Sequence, residues 1–520
     1  MYKPEKMKKA IKQFIWLLAA GFVFTSCKKF LTQTSQDEIR PATVADLTQL
    51  LNGEGYPYIT TMDSYVDLLT DDIQCSGIPI VGGAPARDTY ISYLNNGTPV
   101  FTWDPAMFDS TQIVDIANLP GVNSWKIYYG KIKGCNVVLD YLDKVSGSEK
   151  EKNALKGQAL FLRGFYYLKL VTLYGQPYSG MGIDPATSPG VPLVLNSKVT
   201  DESRQRNTLT EVYNQIEKDL QEAAVLLKNN FVPINTFRAG HLAAYALLSR
   251  FYLYRGRDED MDNVLLNANN ALAEKPGLTF LTTYVNANNS FNTAGIYDQV
   301  MSQEVIWQYS SNPKTLATFY TASFQAGSVM PVFNVSQELA DLYDKGTGTT
   351  NMGDLRYAGW FYKTSGSMVW PYRSAKVNLN AQYGEKGFRV AELYLNRAEA
   401  MIRRYKKNAS MADRDQALRD LNSLRQSRYD TRNTTYTPIA ITDADALMNF
   451  CRDERRRELA LEEGHRWCDI KRWGLSVTHR LIDANGITST YTLPAGGKMY
   501  ALPIPYTAIN RNDKLSQNPR

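Results

Sequence analysis

The chain has 520 residues, 44 % of them apolar and 21 % charged, with a formal charge of +6. This composition excludes a disordered chain, a collagen and a polytopic membrane protein, and the length predicts two or more packed regions. Five lysines and one glutamate within residues 1–26 carry +4 of the charge, and the near-neutral remainder leaves no electrostatic footprint for nucleic acid.

Lys3, Lys6, Lys8, Lys9 and Lys12 precede an apolar run from Phe14 to Phe24. As a helix that run spans roughly 16 Å, about half of a bilayer's hydrocarbon core. Residues 1–26 therefore read as a secretory signal peptide. Thr25 and Ser26 in front of Cys27 resemble the lipobox of bacterial lipoproteins, with Phe24 where leucine is usual. The resemblance implies that Cys27 becomes a lipidated first residue, and two or more acyl chains make a stable anchor. Cys75, Cys135, Cys451 and Cys468 form no CxxC pair, and His241, His465 and His479 are scattered. Neither a disulfide framework nor a zinc site is expected, and no metal or cofactor.

Apolar residues at spacings of three and four predict helices over Val44–Leu51, Trp125–Leu142, Leu155–Tyr174, Leu209–Leu227, His241–Tyr254 and Asp262–Ala273. The pattern returns at Val390–Tyr405, Asp413–Arg425 and Asp443–Glu463. Thr208 and Glu211 form a capping box, and Gly175 and Gly256 stand where glycines end helices. From Ala243 to Pro276, the residues Tyr252, Gly256, Ala268, Ala271 and Pro276 follow the spacing of a tetratricopeptide repeat, and such pairs must stack to bury their faces. The expected fold is predominantly α, with four tetratricopeptide-like helical pairs packed against an irregular, loop-rich region with short β-strands. The scaffold covers about residues 40–70, 122–275 and 388–475. Insertions of about 71–121 and 278–387, rich in Gly, Asn, Ser, Thr and aromatics, are expected as loops on one face, the second holding a strand-like run at Glu304–Tyr309. Residues 491–520 read as a Pro/Asn-rich coil.

The run Asp453-Glu454-Arg455-Arg456-Arg457-Glu458-Leu459, then Glu463-Gly464-His465-Arg466-Trp467, Asp469 and Arg472-Trp473-Gly474, resembles the C-terminal signature of SusD/RagB outer-membrane lipoproteins. Matching motifs span the chain: Phe30-Leu31, Asp71-Asp72, Trp125-Lys126-Ile127-Tyr128 with Asn136, Leu162 to Tyr167, Ala391 to Asn396 with Ala398-Glu399-Ala400, Pro503-Ile504-Pro505 and Gln517-Asn518-Pro519. The chain departs from the pattern at Cys468, Leu461 and Thr32 to Ser35, and Lys28-Lys29 stand where exported lipoproteins often carry acids. The resemblance implies a lipid-anchored, cell-surface protein of the outer membrane. Such a protein captures oligosaccharides, or in some cases peptides, and passes them to a SusC-like TonB-dependent transporter as its lid. It implies a binding protein, not an enzyme, and no G-x-S-x-G, P-loop or H-E-x-x-H pattern occurs. A helical-repeat scaffold without small ligand is the alternative of another class.

Within the signature, Arg456 and Arg457 are expected to pair with Glu392 or Glu399, Trp467 and Trp473 to fill core, and Asp71-Asp72 to brace the first insertion. Glu458, Gly464, His465, Arg466 and Asp469 complete a structural staple, with His465-Arg466-Trp467 as a sugar site the competing reading. Sugars offer apolar C–H faces and a rim of hydroxyls, so a site needs exposed aromatics among amides and charges. The first insertion offers Arg87, Tyr90, Tyr93, Asn96 and Trp103, and the second offers Tyr320, Phe324, Trp360 and Trp370. Rings from both insertions are expected to meet in one surface patch, with Trp307 buried.

Overall fold

In chain order the described α-helices of seven residues or more are α1 (Val44–Leu50), α2 (Thr89–Phe101), α3 (Ser124–Tyr141), α4 (Glu149–Tyr174), α5 (Leu209–Asn230), α6 (His241–Arg255), α7 (Met261–Glu274), α8 (Val390–Asn408), α9 (Met411–Arg428), α10 (Ala444–Leu459) and α11 (His465–Trp473). The computed structural model describes residues 41–58, 62–63, 65–78, 80–81, 84–85, 89–109, 123–291, 295–309, 332–364, 367–369 and 386–520. Cys27 and its signal peptide lie outside the described residues, as do Arg87, Tyr320, Phe324 and Trp370.

Thr43, Ser148 and Thr208 start α1, α4 and α5 with capping boxes, each reciprocated by an acid three residues on. From α3 to α8 each helix packs on the next, and α8 also packs on α9 and α10. This is the order of stacked tetratricopeptide-like pairs. α4 and α5 approach closely at Gly164, where a Cβ would stand 2.8 Å from Leu220 of α5. Beside it Arg163 grips Asp219 through two bonds of 2.7 and 2.8 Å, so the Leu162 to Tyr167 motif locks α4 to α5. One apolar core runs through most elements, and a smaller one lies between α8, α9 and α10, where Leu395, Leu421 and Leu447 meet.

Four local expectations are corrected. α10 ends at Leu459, not Glu463, because Leu461 and Glu463 take the left-handed conformation (φ 58° and 57°) ahead of Gly464 (φ 72°). Gly256 ends α6 at φ 77°, whereas Gly175 is extended; a Cβ there would stand 2.9 Å from Leu209, so space and not a left-handed turn requires the glycine. The first insertion contains α2. The C-terminal coil begins later than 491, since Thr488–Leu493 is a strand.

The described strands include β1 (Ile73–Cys75), β2 (Val305–Tyr309), β3 (Phe333–Val335), β4 (Lys386–Arg389), β5 (Val477–Ile482) and β6 (Thr488–Leu493). They pair antiparallel as β1–β3, β2–β4 and β5–β6. Trp307 of β2 is fully buried, between Phe161, Phe165 and Phe388.

The arginine-rich signature sits in an ionic lattice. Glu458, fully buried, accepts from Arg356, Arg389 and Arg428 at 3.0, 2.8 and 2.9 Å. Arg389 also binds Glu462 and Glu304, Arg428 binds Glu304, and Arg356 binds Asp354 and Glu454. Glu463 receives Arg250 and Lys169, and the Tyr309 hydroxyl. Arg455 reaches Asp469 and Asn396, while the Tyr254 hydroxyl meets His465 Nδ1 at 2.6 Å. The expected partners of Arg456 and Arg457 are wrong. Successive α10 side chains step by about 100°, so with Arg455 on α8 and α11, Arg456 turns to Asp72 and Glu338, and Arg457 folds back on Glu454. Glu392 and Glu399 belong instead to Arg250 and Arg472. Trp467 is core, but Trp473 is only half-buried, faced by Arg452 and Arg472 at 4.9 and 4.5 Å.

Candidate functional site

The two insertions meet. β1 belongs to the first and β3 to the second, and they pair in the register Ile73↔Val335, Gln74↔Asn334, Cys75↔Phe333. Gln74 Nε2 donates to Asn334 Oδ1 at 3.0 Å across that ladder. α2 lies on the same junction through Gly97, where a Cβ would come within 2.3 Å of the Phe333 ring, and through Phe101, whose ring lies 5.0 Å from that of Phe333.

The segment Asn95-Asn96-Gly97-Thr98-Pro99 has the composition of a loop, yet it is helical. Leu94, Gly97, Val100 and Phe101 are buried on one face, and that burial outweighs weak propensity. The Thr98 and Thr102 hydroxyls donate to Leu94 O and Thr98 O at 2.6 and 2.8 Å, tying side chains to the carbonyls around Pro99.

Tyr90, Tyr93 and Asn96 stand three residues apart along the edge of that same face, all only partly buried, with both tyrosines packed in part against the core. The two tyrosine rings stand 6.5 Å apart, edge to face. Partial burial raises the pKa of both phenols, so at neutral pH they are uncharged donors and acceptors. Apolar ring faces next to an amide are what a sugar's C–H face and hydroxyls require.

Two aromatic candidates do not belong to a surface. Trp103, 5 % exposed at φ 51°, donates its indole N–H to Leu69 O at 3.2 Å and stacks on His479 at 4.2 Å. Trp360 is fully buried near the guanidiniums of Arg356 and Arg389. Both rings are large apolar bodies beside the main core, and removing them from water outweighs any use as a platform.

At the other end of α2, roughly 16 Å along the helix from Tyr90, a cleft of about 420 Å³ opens between β1, the residues after β3, and the β5–β6 hairpin. Gln74, Gln337, Glu338, Thr478, Arg480 and Thr488 supply its polar rim. Sequence reasoning missed this hairpin. Its signal was present in the alternating Val477-Thr478-His479-Arg480-Leu481 and the Asn485-Gly486 turn. His479 pins it: the imidazole lies between Phe101 (4.0 Å) and Trp103, with its nitrogens 2.6 and 3.0 Å from Phe101 O and Thr70 O. Among the described residues, no group of His, Cys, Asp and Glu is arranged to hold a metal ion, and no helix is long and apolar enough to cross a membrane.

Known proteins resemble this chain over most of its length. A family model described as starch-binding and associating with the outer membrane matches residues 89–253, and the SusD family model matches residues 316–520. The SusD-like protein P2 of Formosa agariphila is 27 % identical over 429 residues, 76 % of this chain and 79 % of its own. Two crystal structures share the fold. One is a SusD superfamily protein of Bacteroides thetaiotaomicron (22 % identity, TM-score 0.67, covering 92 % of this chain and 100 % of its own). The other is a SusD-like carbohydrate binding protein of Bacteroides vulgatus (22 %, TM-score 0.64, covering 91 % and 97 %). With a helical scaffold, a signature lattice and two matched regions in the same order, the chain belongs to the SusD/RagB family.

Proposed function

We propose that this protein is a lipoprotein, tethered to the outer face of the outer membrane through Cys27, that captures a glycan. It passes the glycan to a SusC-like TonB-dependent transporter, over which it acts as a lid. The observation that carries the capture step is the half-exposed Tyr90–Tyr93 pair with Asn96, on a helix seated where the two insertions join. The family model's starch-binding description and the carbohydrate-binding B. vulgatus relative support a sugar as cargo.

The physics sets the strength. A half-exposed platform loses much of its hydrogen-bond gain to displaced water and to ordering of the glycan. A millimolar to micromolar constant, about 4–8 kcal/mol, is the expectation for the isolated protein. Tethering beside the transporter raises effective concentration and compensates without new contacts. The frame binds and positions; nothing in this reading requires bond cleavage.

Affinity electrophoresis in gels containing purified polysaccharides tests the proposal. One polysaccharide is expected to retard the protein, and a Tyr90→Ala/Tyr93→Ala variant with unchanged melting temperature is expected to migrate freely in the same gel. Unaltered retardation of that variant removes the platform. Co-purified peptide in place of sugar moves the protein to the peptide-capturing members, and hydrolysis of the polysaccharide by pure protein ends the binding-only reading.

A further inference from the structure

A second cleft is built from none of the insertion residues described above. It lies between the connector after α4, the start of α3 and the C-terminal coil, and encloses about 420 Å³, within the roughly 300–1,000 Å³ of small-molecule sites. Its floor is Tyr129, partly exposed, backed from the core by Trp125, which lies one turn earlier on α3, is 8 % exposed and has its ring centroid 5.0 Å away. The Tyr129 hydroxyl donates to Pro192 O at 2.7 Å, which fixes the ring against the connector. The two walls are clipped together by Asn512, which accepts from Arg204 N–H at 3.1 Å and donates to Arg204 O at 2.7 Å. The cleft is therefore formed before any ligand arrives.

Its charges differ from those of the frame. Arginines of the frame are gripped by carboxylates, as at Arg163, Arg250, Arg389 and Arg456. Arg204 and Arg511 both line the cleft, and among the described residues neither guanidinium meets an acceptor. Asp201 and Glu202 share the wall with Arg204, but both are exposed and neither pairs with these arginines. Two free forked donors beside an apolar ring floor and the hydroxyls of Thr200 and Ser203 fit one ligand chemistry. A guanidinium takes a carboxylate or sulfate through two parallel bonds, and a sugar's C–H face packs on Trp and Tyr.

We propose that this cleft is a second saccharide site, specific for a sugar residue that carries an acidic group. The ring packs over Tyr129, and the acid meets Arg204 and Arg511. The cleft shares no lining residue with the Tyr90–Tyr93 platform.

The test titrates the mature protein with oligogalacturonate, with a sulfated galactan oligosaccharide and with neutral cello-oligosaccharide, following heat and tryptophan fluorescence. One of the two acidic probes is expected to bind, more weakly at high salt. An Arg204→Ala/Arg511→Ala variant, its melting temperature checked, is expected to lose that affinity by about tenfold or more. Arg419→Ala, at an exposed arginine of α9, is expected to leave binding of that probe within about twofold. Which acidic probe binds tells carboxylate from sulfate. Four results overturn the proposal: neither acidic probe binds, the arginine variant binds unchanged, the neutral probe binds as well as the acidic one, or polyglutamate competes equally and makes the cleft a peptide site.

Discussion

Glu458→Gln separates a structural signature from a binding one. The carboxylate is fully buried and takes Arg389 and Arg428 on one oxygen (2.8 and 2.9 Å), Arg356 and Arg428 on the other (3.0 and 2.9 Å). Burial alone would raise its pKa, but the Arg428 and Arg389 guanidiniums outweigh that and hold it well below the usual carboxylate range. Glutamine keeps the shape, removes the negative charge and turns an NH₂ group toward guanidinium donors. Breaking a buried ion pair from one side costs about 3–5 kcal/mol. Unfolding entropy of about 2.1 cal/mol/K per residue gives the Thr43–Arg520 unit roughly 1 kcal/mol/K. Scanning calorimetry is therefore expected to show a melting temperature lower by about 3–5 °C, with glycan retention in the gel unchanged. An unmoved melting temperature combined with lost retention would refute the staple and make the lattice ligand chemistry.

Other variants read other parts of the structure. Burial raises the pKa of Asp67 to about 7, with Lys386 opposing and Asp63 and Asp72 adding. Since its folded pKa lies above the unfolded value near 3.8, stability is lost as pH rises between the two, and Asp67→Asn is expected to raise the melting temperature at pH 8 but not at pH 4; an equal gain at both removes the titration argument. Trp103→Ala is expected to cost about 3–5 kcal/mol of stability, because it empties the space beside His479; urea unfolding measures it, and a full-stability variant with weakened glycan binding would return Trp103 to the surface. Cys27→Ala is expected to abolish incorporation of labelled palmitate in cells; continued labelling moves the anchor elsewhere.

How much of this was legible in the sequence depended on the range of the interaction. Long amphipathic helices declare themselves locally, and the reading of Leu209–Leu227 with its Thr208–Glu211 box falls inside the observed Leu209–Asn230. α2 does not: its residues favour a turn, and only Phe333, far along the chain, explains why Gly97 packs as helix. The same holds for charge. That Arg456 and Arg457 need acids is a local inference, but Asp72 lies 384 residues from Arg456, a distance at which spacing carries no information. Aromatic content announced a ring-rich protein without saying which rings face water. Trp103 and Trp360 are as plausible as Tyr90 and Tyr93 until burial is known.

The lattice and the platform are connected through one side chain. Arg456 binds Asp72 at 2.7 Å and Asp71 at 3.3 Å, immediately before β1 of the first insertion, and Glu338 at 2.6 Å, just after β3 of the second. Arg466 adds a grip on Asp71 at 2.6 Å from α11. The same ladder that carries α2 is thus held at its root by the family signature, through charge-assisted bonds whose directionality fixes register as well as distance. A two-stranded junction of three ladder pairs is too short to hold its own geometry in water. Its rigidity has to come from the frame, and the left-handed corner at Leu461–Gly464 is what aims α11 toward it. The signature residues thereby set where the proposed tyrosine platform stands.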